Sequence, residues 1–268
     1  MEFISITNDP ELAKYFEYCG INDIMVDLEI IGKKERQKGL NTVISGHVLD
    51  DVNTIKSVLS CSKCLVRINP IYADSKIEIN EVINRGADII MLPMFKTVEE
   101  VENFIDTVGT RAQKYLLLET PQALARVDDI LSVDGIDAVH IGLNDLSLGM
   151  GLDFLYELLI DGIVEYLAIK IKKRKIKFGF GGVSRLEKGK LILSEHYRLG
   201  SEMVIINRNF RYYKDNLTEI ATQMDFKNEL MKIKEYLKDL ETCTVEELEK
   251  SKLALKLEIS DYIKGLHQ

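Results

Sequence analysis

Cysteine is scarce, and four residues in a chain of 268 do not make a disulfide framework. Cys61 and Cys64 form a C-x-x-C, but the second pair that a zinc site requires is missing. The motif closes a helix and enters a strand, the reverse of a thioredoxin-like arrangement, so the thiols read as reduced and structural. Long apolar runs are absent too, and nothing approaches the ~20 residues needed to cross a bilayer. Only a short apolar run separates Met1-Glu2 from Asn8-Asp9-Pro10, which does not resemble a signal peptide, and the expected location is cytoplasmic. Net positive charge is also lacking: 35 Lys and Arg face 43 Asp and Glu, a balance of −8. That balance argues against a nucleic-acid groove or an anionic membrane as the main partner. The one dense basic run, Lys172-Lys173-Arg174-Lys175, reads as a solvated helix end.

What the chain does contain is short apolar runs alternating with helical patterns, the signature of a parallel α/β protein. Strand-like runs occur at Phe3 to Thr7, Ile24 to Glu29, Cys64 to Pro70 and Ile89 to Leu92. Four more follow at Leu116 to Leu118, around His140-Ile141, at Lys177 to Gly182 and at Met203 to Ile206. Asp9-Pro10-Glu11 caps the first helix and Gly20 ends it, while Thr97 to Glu100 form a capping box for a helix over 97–108. Eight strands, seven connections and a helix after the last satisfy the count of a (β/α)8 barrel, with strand-terminal polar residues on one face. The length fits, because such barrels run ~200 to 250 residues as one domain. The expected division is a barrel over residues 1–226 and a C-terminal helical hairpin over 227–268. Leu255, Ile259, Tyr262 and Leu266 give that hairpin a narrow apolar stripe, to pack on the barrel or, the preferred reading, on another subunit as an oligomerisation element.

Two strand ends carry an acid into a turn: Leu116-Leu117-Leu118-Glu119-Thr120-Pro121 and His140-Ile141-Gly142-Leu143-Asn144-Asp145. Between them Gln122 to Leu131 is amphipathic, with Leu124, Val127, Ile130 and Leu131 at helical spacing. A right-handed crossover then places both strand ends on one sheet edge. Two hard anionic oxygens with no Cys or His beside them suit Mg²⁺ or Mn²⁺ better than Zn²⁺. The plainer alternative makes Glu119 a helix N-terminal carboxylate ahead of Pro121 and Asp145 a turn residue. Arg67 sits amid apolar neighbours, a costly position unless it meets an anion. Residues 30–48 form a long polar excursion after Glu29, with a basic loop Gly32-Lys33-Lys34-Glu35-Arg36-Gln37 and, at its far end, His47; excursions of this length are usually functional or disordered. The glycines of Phe178-Gly179-Phe180-Gly181-Gly182 let the backbone approach a ligand or simply form a rim turn.

Taken together, these residues resemble the HpcH/HpaI aldolase and citrate lyase family of phosphoenolpyruvate/pyruvate-type TIM barrels. The resemblance rests on Met25-Val26-Asp27-Leu28-Glu29, Val66-Arg67, Gly86-Ala87-Asp88 through Pro93-Met94, Leu118-Glu119-Thr120, and Asp134-Gly135-Ile136-Asp137 through Ile141 to Ser147. It runs in order over roughly residues 1–210. It implies a divalent-metal-dependent carbon–carbon lyase, a class II type aldolase that joins the enolate of a 2-oxo acid such as pyruvate to an aldehyde. Glu119 and Asp145 would be the metal ligands, and Arg67 would bind the substrate carboxylate and stabilise the enolate oxygen. Backbone N–H groups near Leu143, Asn144 and Asp145 would hold the carboxylate at a helix start. Homo-oligomers, trimers or hexamers, are also implied.

Two positions depart from the family pattern. In the aldolase branch the acid corresponding to Glu29 is followed by a histidine that works with an aspartate near the glycine-alanine-aspartate-like segment to activate a water as base. Ile30 and Asn84 stand there in this chain, so that dyad is missing. His47 is the candidate substitute, although a lone histidine in such a place more often caps a strand or helix. His140 reads as packed, and His196 and His267 as surface residues. Lys33, Lys34 and Arg36 match charged positions of the citrate-lyase branch and would take a second carboxylate or a phosphate, with a solvated loop the preferred reading. Three functions stay open: a 2-oxo acid aldolase, a citrate-lyase-like enzyme for an acyl-CoA or phosphorylated substrate, and a catalytically impaired binding or assembly subunit.

Overall fold

The computed structural model describes residues 1–33 and 45–266. Lys34, Arg36 and His267 lie outside the described residues. Eight parallel strands close into a barrel in sequence order: β1 (Glu2–Ile6), β2 (Asp23–Asp27), β3 (Lys63–Arg67), β4 (Ile89–Leu92), β5 (Gln113–Leu118), β6 (Ala138–Ile141), β7 (Lys177–Val183) and β8 (Met203–Ile206). β8 pairs with β1 through Phe3 and Val204, which removes every sheet edge. The (β/α)8 expectation is met. All four cysteines are unpaired, with Cys64 buried in β3 and Cys61 exposed just ahead of it.

Alternation along each strand decides what fills the barrel and what faces the helices. Ile4, Met25, Leu65, Ile89, Met91, Tyr115, Leu117, Ala138 and Met203 pack together inside. Their neighbours Phe3, Ile24, Val26, Val66, Ile90, Leu116 and Val139 join the larger core under the helices. One further inward step leads from Met25 to Asp27, from Leu65 to Arg67, from Leu117 to Glu119 and from Ala138 to His140. The barrel's apolar layers are therefore crowned by charge at the C-terminal ends of its strands, where barrels of this type carry their chemistry. Gly179 permits β7 and β8 to close, because a Cβ there would stand 2.2 Å from the Met203 carbonyl oxygen.

Helices end where their sequences say they should. Asp9 caps Pro10–Cys19 by accepting from the Glu11 and Leu12 N–H groups, and Gly20 ends it in the left-handed region. The Thr97–Glu100 capping box is formed at the start of Val98–Val108. The amphipathic segment expected over 122–131 is instead two short helices, Pro121–Ala125 and Val127–Ile130, broken at Arg126. Between β6 and β7 the helices Glu157–Ile160 and Ile163–Lys173 are separated by Asp161 and by Gly162 at φ +80°. The basic run from Lys172 to Lys175 is exposed at that helix's end.

The C-terminal hairpin of Phe226–Leu240 and Val245–Leu266 lies across the helix Leu186–Leu199. Phe226 packs between Phe16, tilted, and Phe210, edge-on, with ring centroids 4.8 and 5.0 Å away, and Tyr236 hydrogen-bonds Ser194. Leu255 and Ile259 are buried against this chain's own barrel, so this half of the apolar stripe packs on the same chain. The helix Leu186–Leu199 leaves an apolar strip that the barrel cannot cover otherwise, and the nearest apolar face in the chain fills it. Tyr262 touches Phe154 at 4.5 Å yet stays half exposed, as does Leu266. Ile259→Ala should therefore lower stability by about 2–5 kcal/mol in urea unfolding. Sedimentation should show its mass unchanged, and a fall in mass with stability intact would instead place Ile259 at a subunit contact.

Candidate active site

Asp27 ends β2 facing inward beside Arg67, its register partner at the end of β3. Its Oδ1 accepts from Arg67 Nε at 2.8 Å and from the Glu29 N–H at 3.3 Å. Its Oδ2 accepts from Arg67 Nη2, Lys33 Nζ and Ser45 Oγ, each at 2.8 Å. Burial alone would raise this carboxyl's pKa, but Arg67 and then Lys33 overcome burial and hold it well below the usual carboxylate range. Arg67 shows the reverse balance: burial opposes its charge, and Asp27 foremost, with Glu29 and Glu119 behind it, secures that charge. Glu29 is buried 3.5 Å from both Arg67 Nε and Lys33 Nζ. Lys33 is 3 % exposed, so the solvated-loop reading is wrong for this residue. Its ammonium is drawn inward by two buried carboxylates.

Glu119 lies one residue beyond β5 and is 4 % exposed. Burial, then the like charge of Asp145, push its pKa well above the ordinary value, and Arg67 only partly opposes them. Among the described residues its one hydrogen bond comes from the Met94 N–H at 3.2 Å. Met94 holds that N–H in place at φ +54°, a left-handed conformation costing a methionine about 1–3 kcal/mol. Gly142 lets the next loop approach, since a Cβ there would stand 2.7 Å from both Cβ and Oε2 of Glu119. Gly142 also precedes the helix Leu143–Met150, so Leu143, Asn144 and Asp145 form its first turn, where backbone N–H groups have no intrahelical partner.

A cavity of about 340 Å³ at this rim is bounded by Lys33, Arg67, Glu119, Leu143, Asn144 and Asp145, with His140 on its wall. The structure thus brings together five residues assigned from sequence, and Lys33 with them. His47 borders the neighbouring cavity, which also includes Arg67 and Asp27. The Asp27 N–H donates to His47 Nδ1 at 3.0 Å, so the neutral ring carries its proton at Nε2. Burial lowers the pKa of this histidine. The lone pair that a general base needs is occupied, and His47 presents a donor instead. His140 is buried and neutral, its pKa pushed down to about 4 by burial, with Nε2 on the Gly181 carbonyl at 2.9 Å. His196, read from sequence as a surface residue, is fully buried and stacked on Phe180 at 3.7 Å. An i, i+3, i+4 comparison with Ile192, Leu193 and Leu199 would have placed it on the inward face. Ile30 is exposed beyond β2, while Asn84 is exposed at the end of the helix that leads into β4, the opposite end of the barrel.

The residue that sequence reasoning passed over is Asp27. It stood inside a quoted motif, yet only the parallel pairing of β2 with β3 shows that Arg67's anion is an internal carboxylate. The available signal was the inward period of Asp23, Met25 and Asp27.

The sequence profile described as HpcH/HpaI aldolase/citrate lyase matches residues 3–157. The chain belongs to the HpcH/HpaI aldolase/citrate lyase family. A hydroxypyruvate/pyruvate aldolase of Rhizorhabdus wittichii is 60 % identical over 35 residues, 13 % of this chain and 14 % of that protein. One from Sagittula stellata is 27 % identical over 113 residues, 31 % of this chain and 44 % of that protein. The matched segments thus span less than half the length of these relatives. Among solved structures, an HpcH/HpaI aldolase from Desulfitobacterium hafniense superposes with a TM-score of 0.61 at 16 % identity, covering 84 % of this chain and 93 % of its own. Citrate synthase SbnG gives 0.59 at 15 %, covering 79 % and 88 %. At such identities these neighbours share the fold.

A divalent ion is the group this family implies, and the donor set fits it. A carboxylate buried beside a second carboxylate is unfavourable by itself and is relieved by a cation. Among the described residues no three His, Cys, Asp or Glu side chains cluster as a closed cage. An open two-carboxylate arrangement suits a hard ion that keeps water and substrate oxygens.

The two acids should titrate with opposite consequences. Asp27's folded pKa lies below its unfolded value near 3.9, so its stabilisation is full above that pH and drains away in stronger acid. Glu119's folded pKa lies above its unfolded value, so stability falls as pH rises from the one toward the other. In urea titrations with EDTA at neutral pH, Asp27→Asn should therefore lose about 3–5 kcal/mol, because it strands Arg67 and Lys33. Glu119→Gln should gain stability, and a loss there would mean that the fold favours the ionised carboxylate, against the raised pKa.

Proposed function

We propose that this chain is a divalent-metal-dependent carbon–carbon lyase, a class II type aldolase that makes or breaks the bond between a 2-oxo acid enolate and an aldehyde. The observation that carries the reading is the convergence of Glu119, Asp145 and Arg67 on one cavity with a helix N-terminus in its wall. The names of the matched relatives point to pyruvate or hydroxypyruvate as the donor class.

Glu119 and Asp145 would hold Mg²⁺ or Mn²⁺. When bound, the ion supplies Lewis-acid polarisation of the substrate's oxo group and offsets the two carboxylate charges. Arg67 is fixed by Asp27 through Nε and Nη2, which leaves Nη1 to donate to the oxygen on which negative charge builds. The N–H groups of Leu143 and Asn144 receive the substrate carboxylate. Leu143 and Leu117 keep the floor of the cavity apolar and strengthen each of these contacts.

Proton transfer is the weak part of this machinery. Ile30 holds no proton, and His47 offers a donor where a base is needed. Reactions that leave an enolate without removing a proton, such as decarboxylation of oxaloacetate, should therefore be favoured over those that need a base, by about 10²–10⁴ if no other group substitutes. The phosphorylated or acyl-CoA alternative loses one support, since Lys33 is spent on Asp27 and Glu29. An idle assembly subunit would have little reason to keep Met94 strained beneath a buried acid.

Oxaloacetate decarboxylation followed with Mg²⁺ or Mn²⁺ tests the proposal. Activity should vanish with EDTA and in Glu119→Ala, and fall about 10²–10³-fold in Arg67→Lys, which keeps the charge but not the second donor edge. Metal binding without turnover, in a wild-type chain that is folded, would leave only the binding-subunit reading.

A further inference from the structure

The pairing of β2 with β3 ends at Asp27 and Arg67, and the Leu28 N–H, donating to the Arg67 carbonyl at 2.8 Å, carries it one residue further. Past that point a side chain takes over from the backbone. Asn69, two residues beyond β3 and 7 % exposed, accepts at Oδ1 from the Ile30 N–H at 2.9 Å and from the Ile31 N–H at 3.0 Å. Its amide oxygen stands where the carbonyl of a longer strand would have stood, so neither N–H is left without an acceptor as the chain turns away. The Lys33 N–H donates to the Ile30 carbonyl at 3.3 Å and closes the turn.

Asn69 is itself held. Glu78, on the helix Ser75–Asn84, accepts at Oε1 from Asn69 Nδ2 at 2.8 Å and from the Asn69 N–H at 3.2 Å. With its amide nitrogen tied to an acid, Asn69 presents only its oxygen to Ile30 and Ile31. Burial raises the pKa of Glu78 although both Asn69 donors oppose this, and Glu78 Oε2 is buried with no hydrogen-bond partner among the described residues. An acid in such a place is unfavourable for the fold by itself, and the amide is what it holds.

The turn that this pair fixes delivers Lys33. A buried lysine loses hydration and rotamer freedom, so its backbone must be kept within reach of its partners. Lys33 Nζ lies 2.8 Å from Asp27 Oδ2 and 3.5 Å from Glu29 Oε2, and two carboxylates then face two cations. Take the ammonium away, and Arg67 is left as the cation between both acids, 2.8 Å from Asp27 and 3.5 Å from Glu29. The guanidinium would be drawn toward Glu29 and off the cavity.

We infer that Asn69, backed by Glu78, is a positioning residue: it holds the turn from Glu29 to Lys33 so that the Lys33 ammonium neutralises the acid pair and Arg67 stays aimed at the substrate oxyanion. Its consequence for turnover rests on the lyase reading above.

Two measurements test it, and one does not need turnover. In the wild-type chain Lys33 should be acetylated by acetic anhydride at least tenfold more slowly than Lys14, which is 52 % exposed, as read by peptide mass spectrometry. Asn69→Leu should raise the Lys33 rate at least tenfold and leave that of Lys14 unchanged. In oxaloacetate decarboxylation with Mn²⁺, Asn69→Leu should lower kcat by about 10–10²-fold. Added to Lys33→Met it should cost less than about threefold more, because the group it places is already gone. Glu78→Leu should act in the same direction, and Glu78→Gln, whose amide oxygen still accepts from Asn69, should recover most of the loss; this pair decides the matter if Asn69→Leu does not fold. Lys33 that stays protected in Asn69→Leu and Glu78→Leu, or losses that multiply in the Lys33→Met background, overturns the assignment. A folded wild-type chain without turnover refutes the lyase reading alone, and the acetylation rates still decide whether Asn69 holds the turn.

Discussion

Asp27 is a carboxylate buried at the end of a parallel strand that accepts from five donors among the described residues. Nothing else at the rim could be arranged as it is without this group. It fixes Arg67 by two parallel bonds, so the guanidinium plane is set before any substrate arrives. It draws Lys33 inward, and through the adjacent backbone it also sets the ring of His47. Removing a charge from water is expensive, and a buried ion pair contributes to stability only when its geometry is well satisfied. Here the satisfaction is close to complete, and its product is a preorganised cation next to a cavity.

Across that cavity the balance is reversed. Glu119 is kept charged-side inward by a strained Met94 and by the absence of a side chain at Gly142. Asp145 stands close enough to oppose its ionisation. A fold selected for stability alone would place a glutamine or an apolar residue here. The contrast between the acid that is over-satisfied and the acid that is under-satisfied supports the proposed division of work, in which Asp27 positions Arg67 and Glu119 would bind the ion. Arg67 lies between them and borders both compartments of the cleft.

Family membership and barrel geometry agree on where the chemistry sits, but the departures matter as much. Without a histidine after Glu29, and with Asn84 at the far end of the barrel, the residues at the rim stabilise negative charge more readily than they move protons.

Much was legible in the residues alone. Short apolar runs, two of them ending in an acid before a turn, marked the strands, capping residues marked the helices, right-handed crossover put Glu119 and Asp145 at one edge, and the family resemblance added Arg67. These are local signals, carried by neighbours in sequence. The sequence by itself therefore determined the barrel and the candidate acids on its rim, because apolar runs and helix capping depend only on nearby side chains. Tertiary structure decided the rest: that Arg67's partner is Asp27, that Lys33 is buried, that His47 is a donor, that His196 is core, and that Leu255 and Ile259 cover their own barrel. Each of those depends on which groups meet across strands or helices far apart in the chain. Burial and pairing free energies belong to such meetings, not to residues singly.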